Sequence, residues 1–249
     1  MGMFRIAAGA TALIIGALAA SGAVANETTT DAVTLAALQE RIAQLERQVQ
    51  RHDDYIAIVN LQRAYGFYVD KAQWDQAADL FSRDATLEIS QRGLFRGQDR
   101  IRAYMKQLPD LKEGRLFNHM QLQPVINIAE DGKTAKGRWR AVVEAAVLGE
   151  WAQLGEGIYE NEYVKEDGVW KISKLHWFVT YYIPFDQGWD KGGIPLMTEE
   201  RNKIKADAGP TVRYEGYPSV YIPPYHYRNP VSGREFEPQP PMLYQPGKE

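Results

Sequence analysis

Proton transfer is the chemistry that the rare reactive residues of this chain favour. It has four histidines, His52, His119, His176 and His226, and no cysteine. An imidazole with an ordinary pKa of about 6.5 can take up and return a proton at neutral pH. The missing thiols exclude disulfides, thiolate metal sites and a cysteine nucleophile. No histidine or carboxylate stands at metal-ligand spacing from His119 on its own strand, so we expect no metal. Proton transfer between histidine and carboxylate needs no cofactor, so we expect none.

Composition narrows the class of protein. The 249 residues include 45% apolar and 24% charged positions, which is enough for a hydrophobic core. Lys and Arg number 29 against 32 Asp and Glu, so the net charge is −3. Nucleic-acid binding depends on clustered Lys and Arg, and this chain has no basic run. We therefore expect a globular protein that does not bind nucleic acid.

The N-terminus has the pattern of a secretory signal peptide. Arg5 precedes an uncharged run over residues 6–20, and Ala23, Val24 and Ala25 form a small-x-small cleavage pattern. The run is shorter than the roughly 20 residues that span a bilayer, which disfavours an uncleaved anchor. We predict removal of residues 1–25 and export to the bacterial periplasm, with no stable membrane anchor afterwards.

Residues 26–51 are predicted to form a short polar linker and then a helix with a heptad pattern. Apolar residues recur there at steps of three and four: Leu35, Leu38, Ile42, Leu45 and Val49. This period predicts a coiled coil between copies of the chain, giving a dimer or trimer. An amphipathic helix lying on its own domain is an equally open alternative. His52 continues the stripe and is interpreted as a residue of that seam.

The next segment, residues 52–183, places helices before strands. Apolar periodicity predicts helices that end near Asp70 and Phe81, and a third over Gln98–Leu108. Alternation and Asp-Gly turns predict strands over residues 84–89, 116–128, 134–147, 155–165 and 170–182. The order indicates an α+β domain in which helices pack on one face of a curved antiparallel sheet.

Residues 184–249 form a Pro- and Tyr-rich extension. Eleven of the thirteen prolines lie from Pro184 onward. Proline is excluded from helix interiors and central strands, so we predict an extended arm that lies on the domain or on a neighbouring subunit. A disordered tail is the less favoured alternative, because five tyrosines need a surface to pack on. His226 belongs to this arm and is interpreted as a residue of the arm rather than as one that covers the mouth of a pocket.

Several runs within residues 52–182 resemble a SnoaL-like domain of the NTF2-like superfamily. They are residues 65–75, 80–81, 84–85, 97–102, 157–161 and 167–172. The resemblance is to the scytalone dehydratase, dehydrochlorinase and bile-acid dehydratase branch. It implies a cone-shaped α+β barrel with a deep, mostly apolar pocket for a small hydrophobic molecule. The superfamily also contains transport factors and binding proteins, so the fold alone does not define the function.

The same resemblance implies a catalytic pair. In the dehydratase and dehydrochlorinase branches an Asp at the end of the first helix holds a His on the first long strand, and Asp70 and His119 match these positions. A carboxylate bonded to one ring nitrogen fixes the tautomer and stabilises the imidazolium. We expect His119 to act as general base, Asp70 to orient its ring, and Tyr68 or Tyr159 to donate to a developing oxyanion. Val69 and Tyr159 replace a Tyr and an Asn of scytalone dehydratase, so its water-handling residues are absent.

Four aromatic side chains and one asparagine are the predicted substrate-binding residues. Strand alternation puts Trp139 and Tyr159 on one face with Ala141 and Asn161, and Trp177 and Tyr181 on one face with Val179. The predicted set is Tyr65, Trp139, Asn161, Trp177 and Tyr181, which favours a flat aromatic or polycyclic substrate. His176 alternates away from Trp177 and is predicted to lie outside the site.

The leading hypothesis is an exported, cofactor-independent lyase. It would remove water from a hydrophobic aromatic molecule, or break a C–C bond with loss of a small aldehyde, as from a lignin-derived diaryl compound. The alternative is a protein that binds the same kind of molecule without chemistry. A third hypothesis is an interaction protein that works through the heptad helix and the arm.

Overall fold

The computed structural model describes the backbone of residues 10–247 and the side chains of residues 34–247. The predicted signal peptide, residues 1–25, therefore lies partly outside the described residues. The chain divides into two units, residues 1–52 and residues 53–249. In the described part of the chain, no helix combines the length and apolarity needed to cross a membrane.

The first unit is helical. Helix α1 runs over Ala10–Asp70 and so ends within the second unit. No glycine or proline lies between Gly22 and Gly66, so nothing interrupts the backbone hydrogen bonds of the helix. For this reason residues 26–31 are helical in the structure, where a linker was predicted. The heptad residues of the first unit, from Leu35 to Val49, are between 44% and 58% exposed.

The second unit contains the remaining elements, in the predicted order of helices and then long strands. They are α2 (Trp74–Asp79), β1 (Phe81–Ile89), β2 (Leu94–Arg96), α3 (Gln98–Lys106), β3 (Arg115–Ile128), β4 (Thr134–Val147), β5 (Trp151–Glu166) and β6 (Val169–Pro184). Strand β2 was not predicted, because three residues between Gly93 and Gly97 are too few to show alternation. Two single-turn 3₁₀ helices, Trp189–Lys191 and Glu199–Arg201, lie in the arm.

The six strands form one sheet in the order β2-β1-β6-β5-β4-β3. All neighbours are antiparallel except β1 and β6, which are parallel. The sheet is therefore mixed, and the prediction of an antiparallel sheet is wrong for this pair. Parallel neighbours need a long crossover, and here α3 and β3 to β5 supply it. The predicted α+β cone is confirmed.

The arm lies on its own domain, which is the first of the two predicted alternatives. Its Ala208 carbonyl accepts from the Leu94 N–H of β2 at 2.9 Å. The Tyr214 hydroxyl accepts from the Val179 N–H of β6, also at 2.9 Å, and Tyr214 is buried. By these hydrogen bonds the arm satisfies backbone N–H groups of the sheet that would otherwise have no partner within the protein.

Candidate functional site

A cavity of about 510 Å³ lies between the inner face of the sheet and the helices that cover it. This is within the usual range for small-molecule sites of roughly 300–1,000 Å³. Its wall is mainly apolar and aromatic, with small side chains such as Ala145 leaving room. The polar residues of the wall include Asp70, Ser90, Arg92, Arg115, His119, Gln153 and Arg201. The site can therefore hold a mostly apolar molecule and form hydrogen bonds or ion pairs with it through a few polar groups.

His119 is brought to the cavity by close packing of α1 on β3. A Cβ atom at Gly66 would lie 2.8 Å from the carbonyl oxygen of His119, so only glycine permits this approach. Strand β3 is an edge strand, and alternate backbone N–H groups of an edge strand have no neighbour in the sheet. The His119 N–H is one of these, and it donates to the Asp70 carboxylate at the end of α1.

The predicted hydrogen bond between Asp70 and the His119 ring is not formed. The carboxylate contacts the His119 backbone, while ring Nε2 lies 2.7 Å from the hydroxyl oxygen of Tyr159. Tyr159 is in turn hydrogen-bonded to the Tyr65 hydroxyl. Ring Nδ1 is buried and has no hydrogen-bond partner among the residues that the structure describes. A tyrosine therefore occupies the place at the ring where a carboxylate was predicted.

Burial controls the protonation of these groups. Removal from water disfavours the imidazolium and lowers the pKa of His119 from 6.5 to about 4. Partial burial raises the pKa of Asp70 above 3.8, against an opposing effect of the His119 N–H. Burial also raises the pKa of Tyr65 and that of Tyr159. At neutral pH the site therefore holds a neutral imidazole and neutral phenols.

A bulge in β6 changes which tyrosine faces the cavity. Val179 pairs with Gly157 and Tyr181 with Glu156, so Thr180 is an extra residue. One extra residue reverses the inward and outward faces of a strand. Tyr182 therefore lines the cavity, and the prediction for Tyr181 is wrong. Tyr181 instead makes an edge contact with Trp189.

Trp139 and Asn161 face inward but lie outside the cavity wall. The Trp139 indole donates to the Tyr163 hydroxyl at 2.9 Å, and both Tyr163 and Asn161 donate to the side-chain oxygen of Gln62, at 2.9 and 3.0 Å. Gln62 is fully buried on α1 and fills this end of the cone. The prediction that Trp139 and Asn161 line the pocket is wrong because this hydrogen-bonded network takes the space.

The other predicted residues divide between the cavity and its surroundings. Tyr65, Asp70, His119, Tyr159 and Trp177 line the cavity. Tyr68 does not, and packs against the core half-buried on α1, so the prediction that it acts on a bound molecule has no support in this placement.

The remaining histidines lie away from the cavity wall. His52 is exposed on α1. His176 is buried beside Glu88, 3.4 Å from one carboxylate oxygen, and stacks on Phe178. His226 contacts Glu160 and Asn127 and is absent from the wall.

Several cavity residues were missed by sequence reasoning. Trp74 lines the wall, and its buried indole nitrogen has no hydrogen-bond partner in the described part of the chain. Its signal was present in the family-like run, four residues after Asp70. Arg92, Arg115 and Arg201 also line the wall, and Arg201 comes from the arm. Nothing in their local sequence indicates this position, because it depends on tertiary packing, which for Arg92 and Arg201 is that of the arm.

The residues that the structure describes contain no group of three His, Asp or Glu side chains arranged to hold a metal ion.

The fold and site together define an α+β cone that encloses a small-molecule cavity. The model of the SnoaL-like domain family matches residues 50–176, about half of the chain. The chain therefore belongs to the SnoaL-like family.

Solved structures with the same fold include two dehydrochlorinases. A hexachlorocyclohexane dehydrochlorinase (LinA) of type 2 is 23% identical, with 55% of this chain and 93% of that chain covered and a TM-score of 0.50. The type 3 enzyme from Novosphingobium barchaimii LL02 is 22% identical, with 57% and 96% covered and a TM-score of 0.50. A scytalone dehydratase candidate from Novosphingobium aromaticivorans DSM 12444 is 18% identical, with 55% and 91% covered and a TM-score of 0.50. At these identities the similarity shows the fold.

Proposed function

We propose that this protein is a cofactor-independent lyase that acts on a hydrophobic aromatic molecule, with His119 as general base. The observation that carries the proposal is the His119 ring in the cavity wall, with Nε2 held by Tyr159 and Nδ1 without a partner. The dehydratase- and dehydrochlorinase-type neighbours of the same fold support the reaction class.

The mechanism requires the tautomer of His119 that carries its proton on Nε2. In that tautomer Nε2–H donates to the Tyr159 hydroxyl oxygen at 2.7 Å, and the Tyr159 hydroxyl can donate to Tyr65, to which it is hydrogen-bonded. The Nδ1 lone pair is then free. Because the ring is neutral at pH 7, Nδ1 can take a proton from a carbon or hydroxyl of the bound molecule.

The reaction is complete when that proton returns. In dehydration, the proton leaves carbon, a C–O bond breaks, and the imidazolium gives the proton to the departing hydroxide. In aldehyde loss, the proton leaves a hydroxyl, the adjacent C–C bond breaks, and the proton goes to the carbanion. The indole N–H of Trp74 is placed in the wall as a donor to an oxygen of the bound molecule in either case.

The test compares His119→Gln with His52→Gln, a control at an exposed position of α1. Purified protein is examined for retained ligand by mass spectrometry and incubated with a panel of aromatic and diaryl alcohols and diols. Products are scored for loss of water or an aldehyde. We expect turnover to fall about 10²- to 10⁴-fold in His119→Gln, with binding retained and the control unchanged. Full turnover by His119→Gln would contradict the mechanism.

A binding protein with the same cavity is the second candidate function, favoured by the largely apolar wall. It predicts tight binding of panel members by both variants and no product from the unaltered chain. Both functions predict binding, so isothermal titration first identifies the panel members that bind, and the presence or absence of product from those members separates the two functions.

Export and self-association are further parts of the proposal. We infer export from the pattern of residues 1–25, tested by N-terminal sequencing of protein from the periplasmic fraction of a producing bacterium. A start at Asn26 supports it, and an intact Met1 in the cytoplasm contradicts it.

The exposed stripe of Leu35, Leu38, Ile42, Leu45 and Val49 supports association of α1 with a second copy. Light scattering should show a smaller particle for the Leu38→Lys, Leu45→Lys variant than for the unaltered chain.

A further inference from the structure

We propose that the molecule bound in the cavity carries a carboxylate, which Arg92 binds at one end of the wall. Arg115 and Arg201 line the same cavity and add positive charge. The inference deepens the proposed function by naming the substrate class, and it rests on that function only through the cavity.

Arg92 is a buried cation that lacks a counter-charge. It is 9% exposed, and its Nε donates to the neutral side-chain oxygen of Asn202 at 2.9 Å. Of the residues that the structure describes, none forms an ion pair with Arg92. Burying a charge without a partner is costly, so a bound anion would recover interaction that the folded chain lacks.

The position of Arg92 is built by the fold. Asn202 in the arm contacts Arg92 twice, since its amide donates to the Arg92 carbonyl at 2.8 Å and its oxygen accepts from Nε. The guanidinium carbon lies 5.1 Å from the ring centroid of Tyr104, which covers one side of the group. With Nε engaged by Asn202, the terminal nitrogens remain for a planar anion, the geometry that suits a carboxylate.

Other arginines of the domain form ion pairs with carboxylates, in contrast to Arg92. Arg138 pairs with Glu160, Arg140 with Glu156, and Arg100 with Asp207. The cavity wall differs, with three arginines and one carboxylate, Asp70. Asp70 is already engaged by the His119 N–H. The wall therefore has an excess of positive charge beside a mostly apolar surface, which suits an aromatic acid more than a neutral aromatic alcohol.

The test uses two rigid probes of nearly equal size and shape, biphenyl-4-carboxylate and biphenyl-4-carboxamide, of which only the first is charged. Isothermal titration measures their binding to the full chain, to Arg92→Gln, and to Arg83→Gln, an exposed control on β1 outside the wall. We expect the unaltered chain to prefer the carboxylate by at least about tenfold. Arg92→Gln should remove most of that preference and leave amide binding within about twofold, while the control keeps it.

Two results would overturn the inference: equal binding of both probes by the unaltered chain, or an unchanged preference in Arg92→Gln. If Arg92→Gln does not fold, Arg201→Gln is measured instead, because it removes a charge of the wall from an exposed position of the arm. The preference for the carboxylate should fall in this variant too. An unchanged preference would contradict the proposal that excess positive charge of the wall attracts the carboxylate. Measuring the probes on His119→Gln as well separates the two proposals, since loss of the base removes turnover and leaves the preference intact.

Discussion

The Asp70 carboxylate holds the backbone N–H of His119 and does not contact its ring. The bond joins the end of α1 to the edge strand β3 at the residue that faces the cavity. Asp70 thus acts on His119 through the main chain, as a positioning residue, while Tyr159 holds the imidazole.

This arrangement predicts that Asp70→Asn is far milder than Asp70→Ala. An asparagine oxygen can still accept from the His119 N–H, whereas alanine leaves that group unsatisfied, at a cost of about 1–3 kcal/mol. Urea unfolding should show the alanine variant as the less stable, and the asparagine variant should keep most of the turnover and the unaltered pH profile. An asparagine variant with native stability and no turnover would show that the charge of Asp70 takes part in the chemistry.

Stability should fall as the pH is lowered from 6.5 towards 4. Burial lowers the pKa of His119 to about 4 and that of His176 to about 3, so the unfolded chain takes up protons in this window that the folded chain does not. For His119 alone the difference from 6.5 corresponds to on the order of 3 kcal/mol. Burial raises the pKa of Glu88, which acts in the opposite sense.

Urea unfolding at pH 7.5 and 5 measures this effect. His119→Gln should lose less stability between the two values than the unaltered chain, because it has no group to protonate there. His52→Gln, exposed on α1, should behave like the unaltered chain. An equal pH dependence in all three proteins would contradict a buried neutral His119.

Gly66→Ala should destabilise the protein, although alanine normally favours helix by about 1 kcal/mol. The new Cβ would meet the His119 carbonyl, a backbone atom that cannot move aside without shifting β3. We expect a loss of about 1–3 kcal/mol in thermal or urea unfolding, with reduced turnover. Ala57→Gly, an exposed position of the same helix, is the control and should lose about 1 kcal/mol. A more stable Gly66→Ala protein would refute the close approach of α1.

Tyr214→Phe should loosen the arm. It removes the acceptor of the Val179 N–H, which would then be buried without a partner, at a cost of about 1–3 kcal/mol. Limited proteolysis should then cut within residues 184–249 faster than in the unaltered chain. Tyr244→Phe, at a position 57% exposed, is the control. Equal rates for both variants would mean that this bond does not secure the arm.

Periodicity along the chain determined most of the elements, and the resemblance to the SnoaL-like family selected His119. Strands β3 to β6 have long alternating patterns, and Asp-Gly turns mark their ends, so local physics is sufficient there. The three-residue β2 and the parallel pairing of β1 with β6 have no such local signal.

Only the tertiary structure decided which inward-facing side chains meet open space. Alternation puts Trp139, Tyr159 and Asn161 on one face, but Gln62 of α1 fills the end of the cone next to Trp139 and Asn161 and leaves Tyr159 facing the cavity. Because Thr180 is an extra residue in β6, Tyr182 faces the cavity in place of Tyr181. Contacts far apart in the chain, Asp70 with His119 and Asn202 with Arg92, depend on how α1 and the arm pack against the sheet, which no local pattern encodes.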